Sequence, residues 1–428
     1  MNNPMKHLMI LFFCVISLTT HAQGRKVLTF NEYLDNVRNS NISYLAEKYN
    51  IDIAEANVKA AKVFPDPELS VSYTNNQNWN LQMGYGVDTE LSYTLELGGK
   101  RKARVQIAKS EKEMTDALLE DYFQNLRADA TITYLAAIKQ QKLYEVQKTS
   151  YIQMLELARA DSLRFHVGEI MEVDARQSKL EAATMLNDVH SSESGFQEIM
   201  VQLLLFQGDK SMILPDSIAG LLNYHQREFD LPSLVTTAQN NRADLQAALK
   251  SKELSQNNLR LAKANRAIDL GLSIGGSYSS EVRNEIAPAP TFRGITAGIN
   301  IPLKFSSTNK GELRTAQMAV SQSEKQYEAI ELQISSEVMR AFNKYEITCR
   351  QVEHFNAGLL HEAETILQKK IYSYEMGETS ILEVLNAQRT FNDVQMNYYE
   401  TLYNCACALV ELERVCGIWD WELEAILP

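Results

Sequence analysis

Proline is the residue a helix interior tolerates least, because it lacks an amide donor and its ring clashes with the preceding turn. The chain has nine prolines in 428 residues, yet none lies between Arg101 and Leu214 and none between Leu303 and Leu427. Those two gaps constrain the fold more than any short motif does. From Arg101 to His166 glycine is absent as well, so the pattern predicts one helix about 100 Å long at ~1.5 Å per residue. Leu119, Phe123, Leu126, Ala130, Thr133 and Ala137 keep the alternating four-and-three spacing of a coiled-coil seam. A partner helix is expected over about Gly311 to Tyr374, interrupted only at Gly358. Returning helices carry Phe196, Ile199, Leu203 and Phe206 in one half, and Cys405, Leu409, Leu412 and Cys416 in the other. Rods of this kind bury little apolar surface alone and need neighbours on both flanks.

The chain repeats itself. A shift of 209 residues superimposes Gly168-Glu169 on Gly377-Glu378, Asp174 on Glu383, Leu203 on Leu412 and Gly208 on Gly417. A shift of 201 aligns Asn39 with Asn240, Ala61-Lys62 with Ala262-Lys263, and Leu69 with Leu270. The expected division is a segment 1–22, a first repeat 23–208, a connecting segment 209–231, a second repeat 232–417 and a tail 418–428. Each repeat reads as a helix (about Asn31 to Phe64, and Ser233 to Ala267), two alternating segments, a very long helix, a turn and a further helix.

In the alternating segments, Leu69, Val71 and Tyr73 interleave with Ser70, Ser72 and Thr74, and Leu91, Tyr93, Leu95 and Leu97 with Ser92, Thr94 and Glu96. Leu270, Leu272 and Ile274 follow in the second half, then Ile295, Ala297, Ile299 and Ile301. Period two marks a half-buried strand. Such hairpins either pack on a soluble core or turn their apolar face to lipid. Four strands cannot close a membrane barrel, since known ones begin at about eight, so the lipid reading demands an oligomer that pools strands.

Residues 1–22 have the form of a secretory signal: Lys6, an apolar core from Leu8 to Leu18, then Thr20 and Ala22 before a cleavage point. Export would carry Cys349, Cys405, Cys407 and Cys416 into an oxidising compartment. If the helices reverse near Gly377, Cys349 stands level with Cys405. Packed helix axes lie ~8–10 Å apart while a disulfide needs Cα atoms within ~7 Å, which favours small buried packing residues over a bond. With 54 acidic against 42 basic residues, nucleic acid is not the expected partner. No nucleophile elbow, His-Glu-x-x-His, dinucleotide fingerprint or Cys-x-x-Cys is present, so neither an enzyme nor a resident cofactor or metal site is expected.

The helix opening Leu28-Thr29-Phe30-Asn31-Glu32-Tyr33-Leu34 adds to this pattern, as do the Gly-Glu turns at 168 and 377. So do the run Ile381-Leu382-Glu383-Val384-Leu385-Asn386-Ala387-Gln388 and the closing Gly208 and Gly417. Together they resemble the TolC-type outer-membrane efflux proteins, the outer-membrane factors of tripartite efflux and type I secretion systems. The resemblance covers nearly all of the chain after residue 22. It implies a mainly α fold with a β-barrel part: coiled-coil hairpins forming a periplasmic tunnel, and a transmembrane barrel to which each subunit of a homotrimer gives four strands. A smaller mixed belt would form from 209–231 and 418–428. The implied role is the exit duct from an inner-membrane pump, of RND or ABC type, through the periplasm to the exterior, with outer-membrane lipid around the barrel.

The same resemblance implies the site residues. Val167, Gly168 and Glu169, with Met376, Gly377, Glu378 and Thr379, would form the tip that docks a periplasmic membrane-fusion adaptor. Asp174, Gln177, Glu383 and Asn386 would line the pore aperture, with Asn386 standing where an acid is otherwise expected. Phe165 and Tyr374 would pack the gate. The run Gly98-Gly99-Lys100-Arg101-Lys102-Ala103-Arg104 resembles that of heavy-metal exporters, and its basic side chains would touch head groups or cap helix ends. The competing reading is an exported periplasmic coiled-coil scaffold or adaptor without a pore.

Overall fold

The computed structural model describes residues 27–77, 82–222, 227–303 and 309–419. The signal-like segment 1–22 and all of the tail after Trp419 lie outside these residues. A short β1 (Val27–Leu28) leads into α1 (Phe30–Ser40) and α2 (Ile42–Ala61), followed by β2 (Glu68–Asn75) and β3 (Tyr85–Leu95). Then come α3 (Lys100–His166) and α4 (Glu172–Gln207). After β4 (Ser217–Ile218) the order recurs: α5 (Leu231–Asn241), α6 (Ala243–Ala264), β5 (Leu270–Ser279) and β6 (Phe292–Asn300). The chain closes with α7 (Lys310–His354), a π-helical turn Phe355–Leu359, α8 (Leu360–Glu375) and α9 (Ile381–Cys416).

The proline-free gaps become helices as anticipated. At 67 residues α3 is unbroken, about 100 Å of rod. Its counterpart is interrupted at Gly358, which sits at φ 119° inside the π-helical turn. The opening helix of each half departs from expectation, because each is two helices. Asn41 is extended between α1 and α2, and its Oδ1 accepts from the Tyr44 amide at 2.9 Å. Arg242 is likewise extended between α5 and α6, without a side-chain cap bond. The partner of each break lies far away in sequence. Gly208, at φ 65°, abuts Ser40 so closely that a β-carbon would fall 2.2 Å from its carbonyl oxygen. Gly417, at φ 64°, abuts the Asn241–Arg242 peptide.

Along its length α3 packs on α2, α6, α4 and α9, while α7 packs on α6 and α9. The main core gathers Tyr33, Tyr134, Leu135, Ile138, Met200, Leu203, Ile334 and Leu412 around the middle of these rods. There β1 pairs in parallel with β4, and the Tyr134 hydroxyl reaches the carbonyls of Leu28 at 2.9 Å and Ala219 at 2.6 Å. A second, separate core of Met154, Ala158, Ala182, Met185, Tyr374, Ile381, Val384 and Leu385 holds the far end of the hairpins. Cys349 and Cys405 meet inside the main core with their sulfurs 3.4 Å apart, closer than helix spacing alone suggests.

The four long strands form one antiparallel sheet in the order β2-β3-β5-β6. The register places Leu69 beside Leu91, Leu91 beside Ile274, and Ile274 beside Ala297. Leu272 likewise sits beside Ile299, and Ser273 beside Gly298. One face is therefore apolar across all four strands, and the other carries serine, threonine, glycine, Asp88 and Glu90. The apolar face is open: Ile295 is 87% exposed, and Leu69, Val71, Tyr73, Ile274 and Ile299 are exposed with it. No helix among the described residues is long and apolar enough to cross a membrane.

Candidate functional site

Both hairpins end in the same turn chemistry. The amide of Gly168 bonds the carbonyl of Phe165 at 3.0 Å, and that of Glu169 bonds Arg164 at 2.9 Å. At the second tip Gly377 bonds Tyr374 at 3.0 Å and Glu378 bonds Ser373 at 2.9 Å. These paired bonds are a Schellman closure, which needs a left-handed residue after the helix. Gly168 and Gly377 supply it at φ 84° and 76°. An added β-carbon meets nothing within 4 Å at either glycine, so backbone conformation rather than space selects them. Around the turns apolar side chains stand in the open: Val167 is 72% and Met171 74% exposed, with Leu163, Val173 and Met376 beside them. Glu169, Glu378 and the half-buried Thr379 complete the two tips.

Below the turns the side chains differ between the halves. Tyr374 is buried, and its hydroxyl donates to Asp161 Oδ1 on α3 at 2.9 Å. Burial pushes the Asp161 carboxyl above its usual range; bonding from Ser178 and Tyr374 and the charge of Arg164 pull against that, and Asp174 adds to the rise. Burial, then the neighbouring Asp161, likewise drives the Tyr374 hydroxyl upward. The Arg164 guanidinium lies over the Tyr374 ring at 5.2 Å and pairs with Glu169 at 3.4 Å. Phe165, at the position matching Tyr374, is exposed and leans on His166 at 5.8 Å. The structure therefore places only Tyr374 inside the tip core.

Asp174 and Gln177 are half-buried on α4, whereas Glu383 and Asn386 are exposed on α9. Glu383 forms an ion pair with Lys370 of α8. Hydrogen bonding to Lys370, then its charge, holds the Glu383 carboxyl below the usual range. Further along, Arg389 clasps Glu181 with bonds of 2.9 and 2.7 Å, joining α9 to α4. Asp161, Ser178, Lys370 and the Glu181–Arg389 clasp were not singled out from sequence. Lys370 and Glu383 lie seven before and six after Gly377, so counting outward from the turn exposes that pair.

At the strand-to-helix junction the basic run is engaged within the protein. Lys100 is buried and pairs with Asp269 at 2.6 Å, Arg104 pairs with Glu96, and Arg101 stacks over Phe64 at 3.9 Å. These three cations are held by groups of the chain itself, whereas Lys102 of the same run is exposed.

Residues 34–189 and 234–418 match the family model described as outer membrane efflux protein. The chain belongs to the outer membrane efflux protein family. Its members are transport channels rather than enzymes, and this chain is an efflux channel protein. Among family relatives, it is 22% identical to the cobalt-zinc-cadmium resistance protein CzcC of Cupriavidus metallidurans, over 91% of this chain and 90% of that protein. It is 19% identical to the outer membrane protein TolC of Vibrio cholerae, over 74% of this chain and 70% of TolC. Its fold resembles the Campylobacter jejuni CmeC outer membrane channel, with a TM-score of 0.75, 16% identity, and coverage of 92% and 87% of the two chains. The open-state Neisseria gonorrhoeae MtrE channel superposes with a TM-score of 0.72 at 15% identity, covering 90% of this chain and 88% of MtrE.

Proposed function

We propose that three copies of this efflux protein close around one axis, each giving its four strands to a single barrel in the outer membrane and its hairpins to a tunnel through the periplasm. The observation that carries this is the sheet. It is apolar on one face and polar on the other, and its outer strands β2 and β6 leave unpaired edges. An open edge in hydrocarbon strands backbone groups at several kcal/mol each. Pairing β6 of one copy with β2 of the next removes every edge, and head-to-tail contacts of this kind close into rings. A pore-less scaffold leaves the apolar face unexplained. In this reading 1–22 is the export signal and the two repeats, 23–208 and 232–417, are the halves of each stave.

The paired tips then dock a periplasmic membrane-fusion adaptor through the exposed Val167, Met171 and Met376, and an RND or ABC pump loads the duct. Asp174, Gln177, Glu383 and Asn386 line the aperture. Lys370 beside Glu383, together with the amide of Asn386, weakens the cation attraction that bare carboxylate rings supply. The relation to CzcC supports heavy-metal cations as cargo.

Protein purified from outer membranes in detergent is expected to run as a heat-modifiable trimer and to give discrete steps in planar bilayers. Glu383→Gln should lower cation preference and Lys370→Gln should raise it. A monomer without conductance refutes the channel assembly, and unchanged ion preference in both variants refutes the aperture assignment.

A further inference from the structure

Four cysteines follow the signal-like segment, and the structure treats them unequally. Cys407 lies two residues beyond Cys405 beside Tyr403, and Cys416 lies nine residues further along α9 near Arg242 and Glu413. Cys349 and Cys405 face each other from α7 and α9, both buried, with sulfurs 3.4 Å apart. They stand level because each lies 28 residues from Gly377 along its own arm of the hairpin. Closing that gap to a disulfide length of ~2.05 Å takes about 1.4 Å of combined movement, a small displacement for two helices of this length.

We propose that Cys349 and Cys405 are joined by a disulfide in the exported protein, tying α7 to α9 beside the π-helical turn. This rests on the outer-membrane reading, since it is passage through an oxidising compartment that permits the bond. The oxidant is a disulfide of an exported thiol oxidase or of a small thiol. One cysteine thiolate attacks it, forming a mixed disulfide and expelling one oxidant sulfur as a thiol. The second thiolate then attacks the mixed disulfide at the cysteine sulfur, and the oxidant departs with both its sulfurs reduced. The protein loses two protons and two electrons, and the oxidant gains them. The contact with Cys349, with burial added, drives the Cys405 thiol far above its ordinary range. Exchange therefore runs while the helices are still closing, and the finished bond is shielded from reductant.

The place of the bond gives it a use. Gly358, held at φ 119° in the π-helical turn, lies nine residues beyond Cys349, about 14 Å along the helix. The disulfide fixes α7 on α9 on the side of the main core, while the arm beyond Gly358 packs on α9 through the separate tip core and the Lys370–Glu383 pair. Bending at the tip then leaves the wall above it in register.

The test traps thiols in intact cells with acid, dissolves the chain in denaturant and labels it with a maleimide before and after reduction. Outer-membrane fractions are collected in parallel. Cys407 and Cys416 should label directly, Cys349 and Cys405 only after reduction. Peptide mapping should recover a Cys349–Cys405 linked pair about 2 Da lighter than its separate thiols. Cys405→Ser should leave the chain in the outer membrane and make Cys349 label without reductant. The Cys349→Ala/Cys405→Ala double variant should melt several degrees below the wild type. Direct labelling of all four cysteines in outer-membrane protein overturns the disulfide while the channel reading stands. A linked pair involving Cys407 or Cys416 overturns it too, and equal melting overturns the tie between helices. A chain absent from the outer membrane overturns both readings.

Discussion

Removing the Tyr374 hydroxyl is the sharpest perturbation of the hairpin tip. In Tyr374→Phe the ring still fills the tip core, but Asp161, which is fully buried, loses the donor 2.9 Å away. A hydrogen bond to a charged group is worth about 1.5–3 kcal/mol, so at ~2 kcal/mol the tip should open about 30-fold more often. The pH dependence fixes the sign independently. Asp161 in the folded tip holds its proton above the usual carboxylate range. Its contribution is thus fully present below the ordinary Asp value and lost as pH rises through the folded value. Asp161→Asn keeps an oxygen that accepts from Tyr374 and should abolish that dependence, protecting the tip at neutral pH. In the Asp161→Asn background, loss of the hydroxyl removes only a neutral bond, and its cost should fall to about 1 kcal/mol. Hydrogen exchange followed by mass spectrometry on peptides spanning both turns, corrected for intrinsic rates at each pH, reads all three effects. Unchanged protection at both tips in Tyr374→Phe, or a pH dependence that survives Asp161→Asn, would refute the reasoning.

Further outcomes follow from other parts of the molecule. Gly377→Ala should destabilise its turn by about 1–2 kcal/mol from backbone strain alone, and Gly377→Asn by less, both read as faster exchange at the second tip. Ile295→Lys, midway along β6 on the apolar sheet face, should cost ~2–4 kcal/mol where that face meets the bilayer core and deplete the protein from the outer membrane. Ser273→Lys, on the opposite face, should be tolerated in the same fractionation. Arg242→Met strips the buried partner from Asp244 and Glu337, an expected loss of about 3–5 kcal/mol in denaturant or thermal melts. Burial raises the Glu337 carboxyl, but bonds from Gln333 and Arg242 outweigh it and hold the group low. That contribution is present at neutral pH and lost as pH falls through the folded value, so the variant should also lose acid sensitivity.

The large features were legible in the sequence because each has a local physical cause. Absence of proline and glycine predicts α3 without any knowledge of its neighbours, and period-two alternation marks the four strands. The Gly-Glu turns announce the tips because only glycine takes their backbone angles at no cost. What escaped is what depends on distant partners. The breaks at Asn41 and Arg242 fall at Asn39-Ser40-Asn41 and Asn240-Asn241, a cap signal too weak alone to mark them, and each forms against the glycine that ends another helix. Strand β3 begins at Tyr85 rather than Leu91 because Asn75, Thr74 and Tyr73 of β2 pair with Tyr85, Gly86 and Val87, and Ser279, Tyr278 and Ser277 of β5 with Gly86, Val87 and Asp88. Asp161 and Tyr374 are 213 positions apart, and nothing in the residues near either one points to the other. At the basic junction, likewise, nothing in the sequence signals that Asp269, Glu96 and Phe64 hold three of its cations.

Gly208 and Gly417 each rest against main-chain atoms at the two helix breaks, not against a side chain that can swing aside. No rotamer change relieves a larger residue there, and no slide of α4 or α9 by one position puts another glycine in the same seat. The waist of the molecule is therefore a fixed datum. Rods can be lengthened or trimmed toward the tip, and strands toward their far end, by whole turns or paired residues, but both copies of the motif must cross that plane at the same step.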